Sequence, residues 1–145
     1  MKKKIFGTLA VMTILLGGIS QAYAAETNNI GFRFKINSYQ SNSFSTARKR
    51  STKNPKCAWM VDFRKSTEST SGARCVTRFW LEKSQLIGKQ VSDDVDVLEG
   101  SGPIFTASTK EGTQCDVKLG AENNNYSAIT YEATGYWDEE TAVTK

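Results

Sequence analysis

The sequence predicts an all-β protein in which about seven strands form an antiparallel β-sandwich, with a small β-barrel as the alternative. Several short segments alternate apolar and polar residues, a pattern typical of strands with one buried face. Turn-forming residues separate these segments at short intervals, and no stretch after residue 24 shows a helical period. Short alternating strands of this kind pack as two sheets or close into a barrel.

The first three strands are predicted by period-two alternation in segments 30–37, 57–63 and 74–81. Between the first two segments, residues 38–56 are rich in Ser, Asn, Thr, Lys and Arg, which indicates a long polar loop. The residues predicted to face the core are Ile30, Phe32, Phe34 and Ile36 in the first segment, Cys57, Trp59, Val61 and Phe63 in the second, and Cys75, Thr77, Phe79 and Leu81 in the third.

The second half of the chain is predicted to supply the remaining strands. Gly135 lies inside the last of them, which indicates a β-bulge or a close approach of another backbone. The Gly-Ser-Gly-Pro segment at 100–103 is a strong turn signal. The predicted strands are 85–97, read as one or two weak strands, then 104–107, then a strand with Cys115, Val117 and Leu119 on one face, and finally 129–137.

Residues 1–24 have the pattern of a cleavable signal peptide, and residues 25–145 are predicted to form a single secreted β domain. Three lysines follow Met1, residues 5–19 carry no charge, and Ala22-Tyr23-Ala24 places small residues where a signal peptidase reads them. The uncharged run is short for a membrane span, which needs about 20 apolar residues. We therefore expect an extracellular mature protein without a transmembrane anchor.

The composition excludes several classes of active site. The sequence contains no histidine, so Ser-His-Asp and Cys-His catalysis and histidine-containing zinc sites are ruled out. No catalytic or cofactor-binding constellation is recognisable, so we expect a protein that is not an enzyme and that needs no cofactor or metal. Three cysteines in an exported chain predict one disulfide and one spare thiol. Three pairings of Cys57, Cys75 and Cys115 are open, and Cys75–Cys115 is favoured.

Charge is distributed unevenly along the mature chain. Residues 25–89 contain 13 basic and 4 acidic residues, whereas residues 90–145 contain 3 basic and 11 acidic residues. Two arrangements are compatible with this pattern. Interleaved strands would mix the charges, or the two signs would form separate faces that steer partners.

Two segments are candidate contact sites. The first is the polar loop, which could bind an anionic partner, and the second is the aromatic pair Tyr136 and Trp137 near the C-terminus. Adjacent residues of a strand point to opposite faces, so at least one of these two rings should be exposed. Nucleic acid is not expected as the partner, because only Phe44 lies near the basic residues 48–56 as a stacking platform. The basic residues of the loop are Arg48, Lys49, Arg50, Lys53 and Lys56.

Several segments of the chain are distinctive enough for comparison with known families. They are the signal peptide, Asn28-Asn29-Ile30-Gly31-Phe32, Phe79-Trp80-Leu81, residues 119–127 and the ending Gly135-Tyr136-Trp137-Asp138-Glu139-Glu140-Thr141. In these segments the chain resembles the family of domain of unknown function 2712, small secreted proteins of Gram-positive bacteria. It is also similar in size, export and β-rich character to secreted bacteriocins of the lactococcin 972 type. The family implies no catalytic or binding residues, and the three cysteines depart from its pattern.

These observations lead to two functional hypotheses. The first is a secreted, non-enzymatic protein that acts at cell envelopes by binding an anionic envelope polymer, including a bacteriocin-like antimicrobial action. The second is a secreted binding or structural module that docks on a secreted or surface protein, or self-associates, through faces of opposite charge.

Overall fold

A computed structural model describes residues 29–68, 73–86 and 88–145 and shows two antiparallel sheets packed face to face. The two sheets remain separate and do not close on each other, which confirms the β-sandwich rather than the small barrel. The predicted signal peptide, residues 1–24, lies outside the described residues. The described part of the chain contains no helix with the length and apolar character that a membrane span requires.

The described residues form nine strands. The first sheet has the order β1-β9-β4-β7, and the second has the order β2-β8-β5-β6, with β3 also paired to β8. A single 3-10 turn at Lys110–Gly112 precedes β8. In chain order the strands are β1 (Ile30–Ile36), β2 (Ser43–Phe44), β3 (Arg48–Arg50), β4 (Trp59–Ser66), β5 (Val76–Lys83), β6 (Val95–Leu98), β7 (Ile104–Thr106), β8 (Cys115–Asn123) and β9 (Tyr131–Asp138).

The core lies between the sheets and is built from most of the residues that the alternation assigns to it. Ile30 at the start of β1 is an exception because it is 44% exposed, and Cys57, which precedes β4, is only partly buried. The ring centres of Phe32 and Phe79, which come from opposite sheets, are 5.6 Å apart, and Phe63 packs 5.8 Å from the same Phe79 ring. Trp59 and Trp137 are also fully buried. Large aromatic side chains interdigitating between two sheets supply most of the apolar burial of such a domain.

The polar segment 38–56 is not one long loop, as the sequence predicts, because it contains β2 and β3. Both strands pair with β8 at the edge of the second sheet. The inward-facing residue of β3 is Arg50, so the segment lacks the apolar alternation by which strands are recognised. Segment 85–97 is also less regular than predicted, because among its described residues only 95–97 belong to a strand, β6.

Gly135 produces both features that its position in a strand predicts. The register between β4 and β9 shifts between Phe63 and Lys65, directly beside Gly135. A Cβ atom built on Gly135 would lie 2.0 Å from the carbonyl oxygen of Asp62, so a side chain there would collide with the neighbouring backbone. Glycine therefore allows β4 and β9 to approach closely at the bulge.

All three cysteines are free, and the predicted Cys75–Cys115 disulfide is wrong. The antiparallel register pairs Lys83 of β5 with Val117 of β8, which places Cys115 alongside position 85. Position 85 is ten residues from Cys75, or about 33 Å along a strand at about 3.3 Å per residue. A disulfide requires the two Cα atoms to lie within about 7 Å. Cys75 and Cys115 therefore share an apolar face but lie at opposite ends of the second sheet.

Candidate functional site

Two of the five basic residues in the predicted anionic-partner loop are structural. Arg48 Nε lies 2.5 Å from Glu139 Oε2, and the two side chains are only 12% and 8% exposed. The Arg48 guanidinium also lies 5.4 Å from the centre of the Trp137 ring. Arg50 is fully buried and donates hydrogen bonds to the backbone carbonyl oxygens of Glu139 and Cys57. These arginines hold the loop against the C-terminal segment and do not face a partner.

The C-terminal segment completes this attachment through its backbone and one carboxylate. Glu140 Oε2 accepts hydrogen bonds from the backbone N–H groups of Ser51 and Thr52, at 2.8 and 2.7 Å. The backbone N–H of Thr141 donates to the carbonyl oxygen of Ala58 at 2.8 Å. The last residues of the chain therefore fasten the loop between β3 and β4.

The other three basic residues of the loop remain exposed and gain further lysines from distant segments. We call the resulting region the basic end. Backbone hydrogen bonds assemble it: Gln114 N–H donates to Thr52 O at 3.1 Å, and Lys83 N–H donates to Lys89 O at 2.9 Å. Ser108 N–H donates to Pro55 O at 3.1 Å, which brings the 3-10 turn beside the loop. The basic end comprises Lys49, Lys53, Lys56, Lys83, Lys89 and Lys110.

A cleft of about 430 Å³ opens at the basic end, where β3 and β5 lie on either side of β8. It presents two ammonium groups, two carboxamides and one carboxylate, so its ionic groups carry a net positive charge. Ammonium and amide N–H groups are suited to phosphate and carboxylate oxygens. The lining residues are Lys49, Lys83, Gln85, Leu86, Gln114, Cys115 and Asp116.

The positive charges around the cleft act on the pKa values of two neighbouring groups, but they are not the largest cause of either shift. Hydrogen bonds from the Glu111 backbone and the Thr109 side chain lower the pKa of the Glu111 carboxyl, and the charges of Lys89 and Lys83 lower it further. Burial raises the pKa of the Cys115 thiol, although Lys83 and Arg50 oppose the shift. The thiol is therefore protonated at neutral pH, and it lacks the lowered pKa of a nucleophilic cysteine.

Of the two adjacent aromatic residues near the C-terminus, one lies at the surface and the other lies in the core. Tyr136 is 47% exposed on the outer face of the first sheet, whereas Trp137 is 1% exposed in the core. Trp137 is therefore not available as a contact residue, and Tyr136 is. Arg64 lies 5.7 Å from the centre of the Tyr136 ring and steadies it from one side.

The two oppositely charged halves of the chain are interleaved rather than separated. Strand β3 from the basic half pairs with β8 from the acidic half, and β4 pairs with β9. This mixing pairs opposite charges within the fold and leaves a local excess of positive charge at the basic end. Ion pairs that join a base before residue 90 to an acid after it are Arg33–Glu132, Arg48–Glu139, Arg78–Asp96 and Arg78–Glu122.

Sequence reasoning missed the lysines that join the loop from elsewhere. Lys83 ends β5, Lys89 follows it in a connecting segment, and Lys110 begins the 3-10 turn. Each is a single lysine without a basic neighbour: Lys83 follows the third predicted strand, Lys89 lies in the weakly predicted segment 85–97, and Lys110 lies in a predicted turn. Only the pairing of β5 with β8 and the loop hydrogen bonds bring them together, and no local pattern encodes that contact.

One of three comparisons with known proteins gives a match. A family model described as protein of unknown function (DUF2712) matches residues 20–141. No curated protein and no solved structure matches the chain significantly.

Proposed function

The chain belongs to the DUF2712 family of proteins of unknown function, and we propose that it is an exported, non-enzymatic protein that binds anionic polymers of cell envelopes through its basic end. The observation that carries this proposal is the cleft between Lys49 and Lys83, with the Gln85 and Gln114 carboxamides beside them. The signal-peptide pattern of residues 1–24 supports export.

The arrangement of the lysines favours a polymer over a small anion. Lys49, Lys53, Lys56, Lys89 and Lys110 are exposed, and they come from four different segments around one end of the sandwich. Exposed lysines are mobile point charges, so they follow a flexible chain of phosphates better than they fix one small ion. Several weak contacts along one polymer add through a high effective concentration.

Lysine contacts with a polyanion release counterions, so binding must weaken as salt is added. Each lysine near an anionic surface contributes on the order of 1 kcal/mol at physiological salt. Removing two of them should therefore lower affinity by roughly tenfold or more. This magnitude is large enough to measure and too small to abolish binding by the remaining lysines.

A bacteriocin-like antimicrobial action is the more specific form of this proposal. Attachment to the envelope of a related cell would concentrate the protein at its target. It predicts that purified residues 25–145 inhibit the growth of related bacteria. It also predicts that inhibition falls when Lys49 and Lys83 are replaced.

The experiment is cosedimentation of residues 25–145 with purified Gram-positive cell walls, before and after chemical removal of their phosphate-containing polymers. Lys49→Gln/Lys83→Gln is compared with Lys35→Gln/Arg74→Gln, which removes the same charge from exposed positions outside the cleft. We expect the wild type and the control to sediment with intact walls only, and the cleft variant to sediment with them in a clearly smaller fraction. Equal sedimentation of both double variants, or equal binding to stripped walls, would refute the proposal.

A further inference from the structure

The outer face of the first sheet carries a trough that the basic end does not include. It has a volume of about 470 Å³ and lies over β1, β4 and β9. A second hollow of about 180 Å³ shares Arg33 and Thr134 with it, so the two adjoin each other on this face. The trough is lined by Gly31, Phe32, Arg33, Arg64, Thr134, Gly135 and Tyr136.

Gly31 keeps this trough open. It pairs with Tyr136 across β1 and β9, and a Cβ atom built on it would lie 4.0 Å from Tyr136 Cε1. A methyl group would therefore fit, but a larger side chain would extend into the space beside the tyrosine ring. Because Gly31 has no side chain, the outward position next to the exposed Tyr136 ring is empty.

Tyr136 is held in a defined orientation although its ring is half exposed. The Arg64 guanidinium lies 5.7 Å from the ring centre, and Arg64 Nε donates to Asp62 Oδ2 at 2.5 Å. Asp62 is itself buried on the neighbouring strand, directly opposite Tyr136. An aromatic ring fixed in this way offers an apolar surface at little cost in side-chain entropy.

The charges around the ring are predominantly positive. Arg33 and Arg64 have side chains that are 73% and 62% exposed, so their guanidinium groups can reach a ligand in the trough. Lys65 lines the adjoining hollow. The opposing carboxylates are Asp62, which is buried against Arg64, and Glu132, whose Oε2 is 3.6 Å from Arg33 Nη1. Guanidinium groups bind carboxylates in a planar, bidentate geometry.

We propose that this trough binds an acidic polysaccharide whose sugar units carry carboxylates. The apolar C–H face of a pyranose ring packs on Tyr136, and the carboxylates pair with Arg33 and Arg64. Two adjoining hollows fit a chain of sugars rather than a single one, and the excess of positive charge selects acidic units. The inference is independent of the proposed function, because no residue of this trough belongs to the basic end.

The test is a calorimetric titration of residues 25–145 with a hexamer of galacturonic acid and with its methyl ester, which has the same rings without the charge. We expect saturable binding of the acid, and at least tenfold weaker binding of the ester. Tyr136→Ala and Gly31→Val should each raise the Kd for the acid at least tenfold, the second because its side chain fills the trough while Tyr136 remains.

Tyr126→Ala is the matched control, because Tyr126 is 75% exposed and packs against Tyr39, outside the trough. It should bind like the wild type, and thermal unfolding should show that all three variants are folded. If Gly31→Val proves unfolded, Arg33→Gln replaces it with the same expectation.

The inference is overturned by no binding of the acid at millimolar concentration, by equal binding of acid and ester, or by binding that is unchanged in folded Tyr136→Ala. Loss of binding in Lys49→Gln/Lys83→Gln instead of the trough variants would also overturn it, while supporting the basic end as a general anion site. Failure of the wall-binding experiment with success here would overturn only the proposed function.

Discussion

Arg48 and Glu139 form a nearly buried ion pair, with Nε and Oε2 2.5 Å apart, between the edge strand β3 and the residue that follows β9. The pair joins the two sheets, because β3 lies in the second sheet and β9 in the first. Glu140 continues the attachment by accepting two backbone N–H groups of the loop after β3. The ending Gly135–Thr141 therefore positions the basic end by binding β3 and the loop that follows it. Within this ending only Tyr136 is well exposed.

Replacing Arg48 by Met should destabilise the fold by about 3 kcal/mol, because it leaves the Glu139 carboxylate buried without its partner charge. Methionine retains much of the apolar stem that packs near Trp137. Urea denaturation measures the change in the free energy of unfolding. The double variant Arg48→Met/Glu139→Gln should recover a large part of the loss, and additive losses would contradict a coupled pair.

The deficit of Arg48→Met should depend on pH. Burial raises the pKa of Glu139 above its ordinary value, and Arg48 opposes that rise. Without Arg48 the pKa of Glu139 rises further, so the folded variant binds a proton more readily than the unfolded chain. The ionisation of Glu139 therefore adds nothing to the loss of stability in Arg48→Met below the unfolded pKa, near 4.5. Its effect on the free energy of unfolding grows as the pH rises through the folded pKa. Unfolding measured from pH 4 to 8 should show this growth, and a deficit that is constant over the range would contradict it.

Gly135→Ala should destabilise the protein by about 3 kcal/mol or more, because the added methyl group collides with the Asp62 carbonyl oxygen. Gly31→Ala is the matched control on the adjacent strand, since the nearest atom to its Cβ would be 3.8 Å away. The control should change stability by less than about 1 kcal/mol. Thermal or urea unfolding of both variants measures the difference, and equal effects would argue against the close approach.

Cys115 should be alkylated slowly by iodoacetamide at neutral pH and faster as pH rises, because burial raises its thiol pKa. It also lines the cleft, so a bound polyanion should slow the reaction further. Cys57 is similarly part-exposed but does not line the cleft, and it serves as the internal control. Mass spectrometry of labelled peptides measures both sites. Equal protection of Cys57 and Cys115 would indicate a non-specific effect of the polymer.

The strands of this fold are predictable where one face is apolar, as in β1, β4 and β5. Strand β3 is not, because its buried residue is Arg50, whose guanidinium donates hydrogen bonds to the backbone carbonyl oxygens of Cys57 and of Glu139, 89 residues further along the chain. From the sequence, Arg48 and Arg50 look like loop charges available to a partner, because their contacts with Glu139 form only in the folded protein. A buried arginine and an exposed arginine have the same local sequence signature, and only the tertiary partner distinguishes them.

The candidate site is predictable only in part for the same reason. Lys49, Lys53 and Lys56 are found from the sequence as a local run of charge, whereas Lys83 enters the site through the pairing of β5 with β8. The alternation of β9 requires that Tyr136 and Trp137 point to opposite faces. Which of them is buried depends on the core side of the sheet, where Tyr131 and Ala133 accompany Trp137. The error at Cys75 and Cys115 likewise comes from register, because a shared face does not imply a shared end of the sheet.

The most direct test of the central claim is the titration of inorganic polyphosphate of defined length into residues 25–145 over a range of salt concentrations. We predict saturable binding to the wild type that weakens steeply with salt. Lys49→Gln/Lys83→Gln should bind roughly tenfold more weakly and with a shallower dependence of log K on log salt, because two phosphate contacts are lost. An affinity and a salt slope equal to those of the wild type in this variant would contradict the assignment of the cleft as the polyanion site.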